Sequence, residues 1–406
     1  MTTASPLLVN CEDVAWFRDQ PEAARGAAAA LGRRIGLGDQ RTAELVLAVT
    51  ELATNMTKHA KDGSVLLRVL RNQTVAGVEV LAVDSGPGMA DVTASLRDGM
   101  STAGTLGIGL GAVRRLADSF DIHSQPGTGT VQLARFWPRP VHPSVAGEPV
   151  VGGVTRPISG EQICGDAWAV RTDTGTPEPT SHEETPRPHK LSPTAPDWAT
   201  LTGTRSSFER TRRNPSSTDL PAWSGTLNGS IPVRAAIPGV GQGVLVMSCD
   251  GLGHGPMAAV AAQAAVHAFR TASASTPEQA MEQVHRALRG TRGAAVAVAR
   301  LEPDGRVLFC GVGNISAALV TPAARTSLLS HPGIVGYQMR QLRTYEHHLP
   351  AHGILVMHSD GLSERWKAAD LAGLLHHPPA VIATGLLRHA GTRRDDASAV
   401  IAKAAW

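Results

Sequence analysis

From Gln40 to Ala60 the apolar residues Ala43, Leu45, Val46, Ala48, Val49, Leu52, Ala53 and Met56 recur at helical spacing. That pattern predicts one long amphipathic helix. After it the period changes. Ser64 to Leu70 and Gly77 to Val83 read as strands, Leu110 to Asp118 as a helix, and Phe120 to Ser124 and Thr130 to Phe136 as closing strands. Residues 1–136 therefore predict one domain that mixes helices and strands. The segment WPRPVHPSVAGEPV, residues 137–150, has the proline content of a linker. A second domain is expected over 151–406. It is interrupted at about 171–230 by a stretch rich in Pro, Ser, Thr, Arg and Glu that lacks apolar periodicity, as expected of a largely disordered insertion. Strands resume from Val233 to Cys249. Two helices follow, Pro256 to Arg270 and Pro277 to Leu288. A strand pair, Ala294 to Leu301 and Arg306 to Gly311, then flanks the turn Glu302-Pro-Asp-Gly305. No repeat of solenoid period is present.

Composition narrows the possibilities. At 406 residues the chain has room for two or three domains, and 42% hydrophobic with 18% charged residues is globular. A formal net charge of +3 without a long basic block gives no basis for binding nucleic acid or an anionic membrane. The first residues, MTTASPLLVN, lack the basic and apolar regions of a signal peptide, and no apolar run is long enough to span a bilayer. The four cysteines, Cys11, Cys164, Cys249 and Cys310, show no CxxC spacing and read as reduced thiols, so a cytoplasmic location is expected. Cys249 precedes Asp250 in a strand and should point to the opposite face, into a core.

The chemistry of the second half lies in four aspartates: Asp166 in ICGDAW, Asp250 in VMSCDGLGHG, Asp360 in VMHSDGL and Asp395 in RRDDAS. Asp250 and Asp360 each follow a short apolar run and precede glycine. This places a carboxylate at the end of a buried strand, where a tight turn also frees backbone carbonyls. Hard divalent cations take oxygen ligands of this kind, and carboxylates gathered from separate strand ends suit a two-metal hydrolase.

In the first half, Glu51 and Asn55 are four apart and share one helix face. An Asn carbonyl can ligate magnesium, and a neighbouring Glu can orient or deprotonate a nucleophile. Asp84 ends a strand and enters a Gly-Pro-Gly turn, where backbone can approach a flat ring. In GTLGIGLGAVRRLAD, from Gly104, the glycines run into a helix whose free N–H groups suit phosphates. The spacing of Gly107, Gly109 and Gly111 is not that of a dinucleotide-binding fold, no strand precedes it, and no Walker A phrase occurs.

In its order of Glu/Asn helix, Asp-x-Gly-x-Gly turn and Gly-rich loop, the region from residue 10 to 136 resembles the GHKL (Bergerat-fold) ATPases. Within them it is most similar to the anti-sigma-factor serine kinases of the RsbT switch-kinase type. The resemblance implies that Asn55 holds the magnesium of bound ATP and that Glu51 acts as base or positions water. It implies that Asp84 accepts from the adenine amino group, while Gly86 and Gly88 shape the adenine floor and Thr130 lies nearby. Gly104, Gly107, Gly109 and Gly111 would line the phosphates.

Residues 150–406 resemble the SpoIIE-like branch of the type 2C metal-dependent protein phosphatases, with RsbX-type phosphoserine phosphatases as close cousins. The resemblance rests on GEQICGDAWAV, SCDGLGHGPMAAVAAQAA, GVGNIS, HSDGL and RRDDASAVIA in family order. It implies two Mn2+ or Mg2+ ions held by Asp166, Asp250, the Gly251 carbonyl, Asp360 and Asp395, with Asp396 as the non-ligating neighbour. His254 is a candidate proton donor or a structural turn residue. Ala167 and Trp168 stand where many relatives carry a further acid, which leaves the two-metal core but weakens a third site. His59 and His123 are expected to be structural, and the pairs His347-His348 and His376-His377 to be surface or core residues.

The expected fold class is thus α+β: a Bergerat-type α/β sandwich followed by an α-β-β-α sandwich. The two resemblances together imply a bifunctional regulator that phosphorylates and dephosphorylates serine or threonine in a STAS-domain anti-sigma antagonist, upstream of a sigma factor or a stress complex. The alternative is a first domain that only binds a partner in a nucleotide-dependent way, leaving the phosphatase as the one enzyme.

Overall fold

The computed structural model describes residues 6–96, 109–172, 243–339 and 341–403. Apart from Arg171 and Thr172, the expected insertion at about 171–230 lies outside them, as do Gly104 and Gly107.

In the first half, five strands form one antiparallel sheet: β1 (Asn10–Phe17), β2 (Ser64–Arg71), β3 (Ala76–Val83), β4 (Ser119–Gln125) and β5 (Gly129–Phe136), in the order β1-β2-β3-β5-β4. The helices α1 (Ala24–Arg34), α2 (Asp39–His59) and α4 (Gly109–Leu116) cover one face, and α3 (Val92–Ser95) is a single turn. Side chains alternate across a strand. Val65, Leu67, Val69, Val78, Val80 and Ala82 therefore point to this helical layer and meet Leu45, Ala48, Val49, Leu52 and Met56 of α2.

The second half is a sandwich of two sheets. One runs β13-β10-β9-β8-β7, from β7 (Asp166–Thr172), β8 (Val244–Gly251), β9 (Ala294–Leu301), β10 (Arg306–Val312) and β13 (Ser330–His331), with β14 (Tyr345–His348) also paired to β10. The other runs β12-β11-β15-β16-β6, from β6 (Val151–Arg156), β11 (Ser316–Val320), β12 (Arg325–Leu328), β15 (Ile354–His358) and β16 (Ala397–Lys403). Trp168, Val246, Ala297 and Phe309 of the first sheet pack against Leu319, Leu355, Met357 and Val400 of the second. On the outer face of the first sheet lie the Ala-rich α5 (Pro256–Thr271) and α6 (Pro277–Leu288), packed against each other. Cys249 is fully buried beneath them, as its strand position predicts. Trp168 fills the sandwich interior against Gly153, where a Cβ would stand 2.9 Å from the indole.

The outer face of the second sheet carries α7 (Ala368–Leu371) and α8 (Pro379–Ala390). These helices are shared. On their far side they meet Leu66, Leu81, Val83, Val131 and Leu133, the second face of the first-half sheet. The whole stack therefore runs helix, sheet, helix, sheet, sheet, helix, with α8 buried between two sheets from different halves. Residues 137–150 run along the edge of this stack. Trp137 and Val145 are buried with Val9 and Leu70.

Polar contacts reinforce the seam. The Asn10 side-chain amide imitates a strand neighbour for Val170, donating to its carbonyl at 3.1 Å and accepting its N–H at 3.0 Å. Trp16 donates to the Thr155 carbonyl at 2.7 Å. Behind the apolar contact, Arg68, Glu79 and Arg135 sit in one cross-strand row. Each is at most 2% exposed. Arg68 also donates to the Gly153 carbonyl at 2.5 Å, and Arg135 to Glu148 at 2.7 Å. Among the described residues no helix is long and apolar enough to cross a membrane.

Candidate functional site

The second-half site forms where four strand ends meet at one end of the sandwich. Asp166 opens β7 and Asp250 nearly closes β8, and the two are direct partners in the antiparallel register. Directly opposed residues share a face, where two like charges repel. Asp360 lies just past β15 of the facing sheet, and Asp395 and Asp396 just before β16. Sequence separations of many tens of residues thus close into one acidic end.

Its electrostatics follow from burial. Asp166 is 4% exposed, and both its carboxylate oxygens are buried without a hydrogen-bond partner. Burial, with Asp396 and Asp360 nearby, raises its pKa; the Ser359 and Ser398 hydroxyls offset part of this without closing a bond of good geometry. Asp250 is raised by burial and by Asp166, Asp360, Asp395 and Asp396. Asp360 is raised by burial and by Asp395. A protein keeps such a group of desolvated carboxylates where a cation neutralises it. Among the described residues no three His, Cys, Asp or Glu side chains stand close enough to close a metal shell as placed. The fit to divalent ions rests instead on the orphaned Asp166 oxygens and the all-oxygen chemistry of the set.

The neighbouring positions take separate roles. Both Asp396 oxygens are engaged, accepting from Ile158 N at 2.7 Å and Gly165 N at 2.6 Å. It clamps the β6–β7 loop and leaves Asp395 as the accessible member of the pair. Gly251 is hemmed in, since a Cβ there would meet the Ala258 carbonyl at 2.4 Å. His254 is exposed and pairs with Glu161 at 2.9 Å. Two residues that the motifs alone did not assign also stand here. Asn314, in the quoted GVGNIS phrase, donates to Asp360 at 2.7 Å. Arg292 reaches the turn at Gly253, where a Cβ would lie 3.1 Å from its guanidinium.

In the first half, Glu51 and Asn55 lie on α2, both partly buried. The Glu51 carboxylate accepts the N–H of Gly109, at the start of α4, at 3.3 Å. Gly111 is buried within α4. Asp84 is 6% exposed, its pKa raised by burial, and its Oδ1 accepts from Gly86 N at 2.7 Å. Thr130 exchanges backbone hydrogen bonds with Asp84, at 3.0 and 3.3 Å, and its hydroxyl meets Ser124 at 2.9 Å. Gly88, at φ 68°, lies against the Gln125 carbonyl, where a Cβ would come to 2.2 Å. Glu51 and Gly109 thus form one group, and Asp84, Gly86, Gly88 and Thr130 a second at the strand ends.

His123, expected to be structural, and His377, expected to be a surface or core residue, belong to neither site. They join the halves through a chain in which His377 meets His123 at 3.3 Å and Asp121 at 2.7 Å.

Comparison with known families matches residues 18–135 to the histidine kinase-like ATPase domain and residues 241–405 to the stage II sporulation protein E (SpoIIE) family. The serine/threonine-protein kinase RsbT of Bacillus subtilis (strain 168) is 35% identical over 117 residues, which is 29% of this chain and 88% of that protein. Among solved structures, a chain from the bacterial stressosome, described as a modular system adapted to control secondary messenger signaling, is 23% identical. It covers 62% of this chain and 98% of its own, with a TM-score of 0.42. RsbX in complex with magnesium is 15% identical and covers 62% of this chain and 92% of its own, with a TM-score of 0.40.

Proposed function

The chain belongs to the RsbT-type serine/threonine-protein kinase family through its first domain and carries a SpoIIE phosphatase domain behind it, and from this premise we propose a bifunctional partner-switching regulator that adds and removes phosphate on a STAS-type antagonist protein. The observation that carries the reading is the acidic end of the sandwich, where Asp166 and Asp250 oppose each other and Asp360 and Asp395 face them from the second sheet.

In the phosphatase half, Asp166, Asp250, the Gly251 carbonyl, Asp360 and Asp395 are the groups that would hold divalent ions, manganese or magnesium. Such ions supply charge neutralisation at phosphorus and activate water at neutral pH. Asn314 orients Asp360 through its 2.7 Å hydrogen bond, and Asp396 fixes the loop that leads to Asp166. His254, exposed and oriented by Glu161, is placed to carry a proton at the rim.

In the kinase half, Asp84 is the acceptor for the adenine amino group, and its pairing with Gly86 and Thr130 fixes its orientation. Asn55 would supply an oxygen to the nucleotide's magnesium. Glu51 positions or deprotonates the partner's hydroxyl. Gly104, Gly107, Gly109 and Gly111 would line the phosphates, as the family resemblance implies. Phosphoryl transfer asks little more of a protein than positioning and charge neutralisation.

The test follows γ-labelled ATP, the full-length chain, manganese and a STAS-domain protein over time. Label should appear on the partner and then fade. It should persist with Asp250→Asn and never appear with Glu51→Gln. Fading at an unchanged rate with Asp250→Asn would overturn the phosphatase assignment. Absence of label at all times, with a pre-phosphorylated partner still losing phosphate, would reduce the first domain to a nucleotide-dependent binding module.

A further inference from the structure

A cleft of about 70 Å3 opens on the seam between the halves, and four arginines line it: Arg18, Arg156, Arg388 and Arg393. They arrive from four places in the chain, namely the end of β1, the end of β6, α8 and the turn before β16. The carboxylates on the same lining are Asp62 and Asp84. Asp62 stands 4.0 Å from Arg393, and Asp84 directs its Oδ1 to the Gly86 N–H. Positive charge is therefore in excess on this lining, and at Arg156 it is also buried, where it is costly.

Arg156 is the most telling of the four. It is 9% exposed, and one terminal nitrogen of its guanidinium is buried without a hydrogen-bond partner. Burial, with Arg18 and Arg393 close by, pushes its pKa down to about 10. The other arginines leave capacity as well. Arg18 donates to the Pro157 carbonyl at 2.9 Å, and Arg388 to the Asp84 carbonyl at 3.4 Å. A guanidinium carries five donors, so each of these retains several. Arg393 holds a left-handed backbone, φ 60°, a conformation uncommon outside glycine.

We propose that this cleft binds a small phosphate-class oxyanion, held by Arg18, Arg156, Arg388 and Arg393 between the two halves. Guanidinium groups match tetrahedral oxyanions in bidentate geometry. A cavity needs about 10–15 Å3 of this kind of volume to hold one water, so the cleft has room for a group of a few heavy atoms. The cleft shares Asp84 with the proposed nucleotide site, from the side where Arg388 donates to the Asp84 carbonyl, and comes near the acidic end through Arg393, two residues before Asp395. Inorganic phosphate is the product of the reaction proposed above, although the binding inference stands without that reading.

The test uses the full-length chain with chelator present and titrates inorganic phosphate or O-phosphoserine against chloride at matched ionic strength. Binding is read by calorimetry and by 31P line broadening. Phosphate should bind the wild type, bind Asp250→Asn equally, bind in the presence of saturating ADP, and weaken at least tenfold with Arg156→Gln. Arg388→Gln supplies the same reading if the Arg156 variant fails to fold. Loss of O-phosphoserine binding with the same arginines also supports the site, and the tighter of the two probes identifies the source of the phosphoryl group. A response that survives both arginine substitutions, disappears with Asp250→Asn or ADP, or equals that of chloride overturns the proposal.

Discussion

Glu79 shows how much a single side chain holds at the seam. One of its oxygens accepts from Arg68 at 2.8 and 2.5 Å and the other from Arg135 at 2.7 Å, all in the dry interior. Burial alone would raise its pKa, but the two guanidinium groups win and hold it below the ordinary 4.5. A depressed carboxylate contributes stability that is present above its unfolded value and lost as pH falls through its folded value. Glu79→Gln should therefore cost about 3–5 kcal/mol in denaturant unfolding near neutral pH, because buried Arg68 loses its counter-charge and Arg135 keeps only that of Glu148. The gap between variant and wild type should narrow below pH 4.5, and a constant gap would show that packing, not charge, is lost. Residues of this kind set the limit of what the sequence discloses. Asp250 and Asp360 were legible because an apolar run ending in Asp-Gly has a local meaning. That Asp166 faces Asp250, or that Asn314 reaches Asp360, depends on strand register between distant segments, which no local pattern encodes.

Among the elements, α2, α5, α6 and the β9–β10 hairpin were legible from periodicity, each having one polar and one apolar side or a recognisable turn. Helix α8 was not. Its sequence PAVIATGLLRHA is apolar almost all round, so it carries no polar stripe to reveal a period. The cause is visible in the fold, since both of its sides face a sheet. Strands β2 and β3 were legible as strands, but their nearly continuous burial has the same cause, since a second layer covers the face that an isolated α/β sandwich leaves open. Leu386 on α8 is fully buried in this shared layer. Leu386→Ala should cost about 2–5 kcal/mol and should accelerate hydrogen exchange in β3 and β5 as well as in β15 and β16. Loosening confined to the second-half strands would show that the first-half sheet does not lean on α8.

For the whole molecule, two recognisable domains need not mean two folding units. Domains joined by a tether unfold separately unless a large apolar interface couples them. Here the interface is a helix layer belonging to both cores, supported by Trp16, Arg68 and Asn10 reaching across. Calorimetry of the full-length chain should give one endotherm, with its calorimetric and van't Hoff enthalpies in agreement. Two resolved transitions would mean that the seam contributes little. That the chain carries two different domains was legible from motif order. Their fusion into one stack was not, because it is settled by which apolar faces remain uncovered once each half has formed.

The helix layer also bears on descent. Modules on a free tether can be exchanged between genes, since neither has to fit the other. A replacement for residues 1–136 would have to present to α8 the contour now made by Leu66, Leu81, Val131 and Leu133. The two halves are in this sense one inherited object, and a change of shape on one side of α8 is tolerated only when the other side answers it.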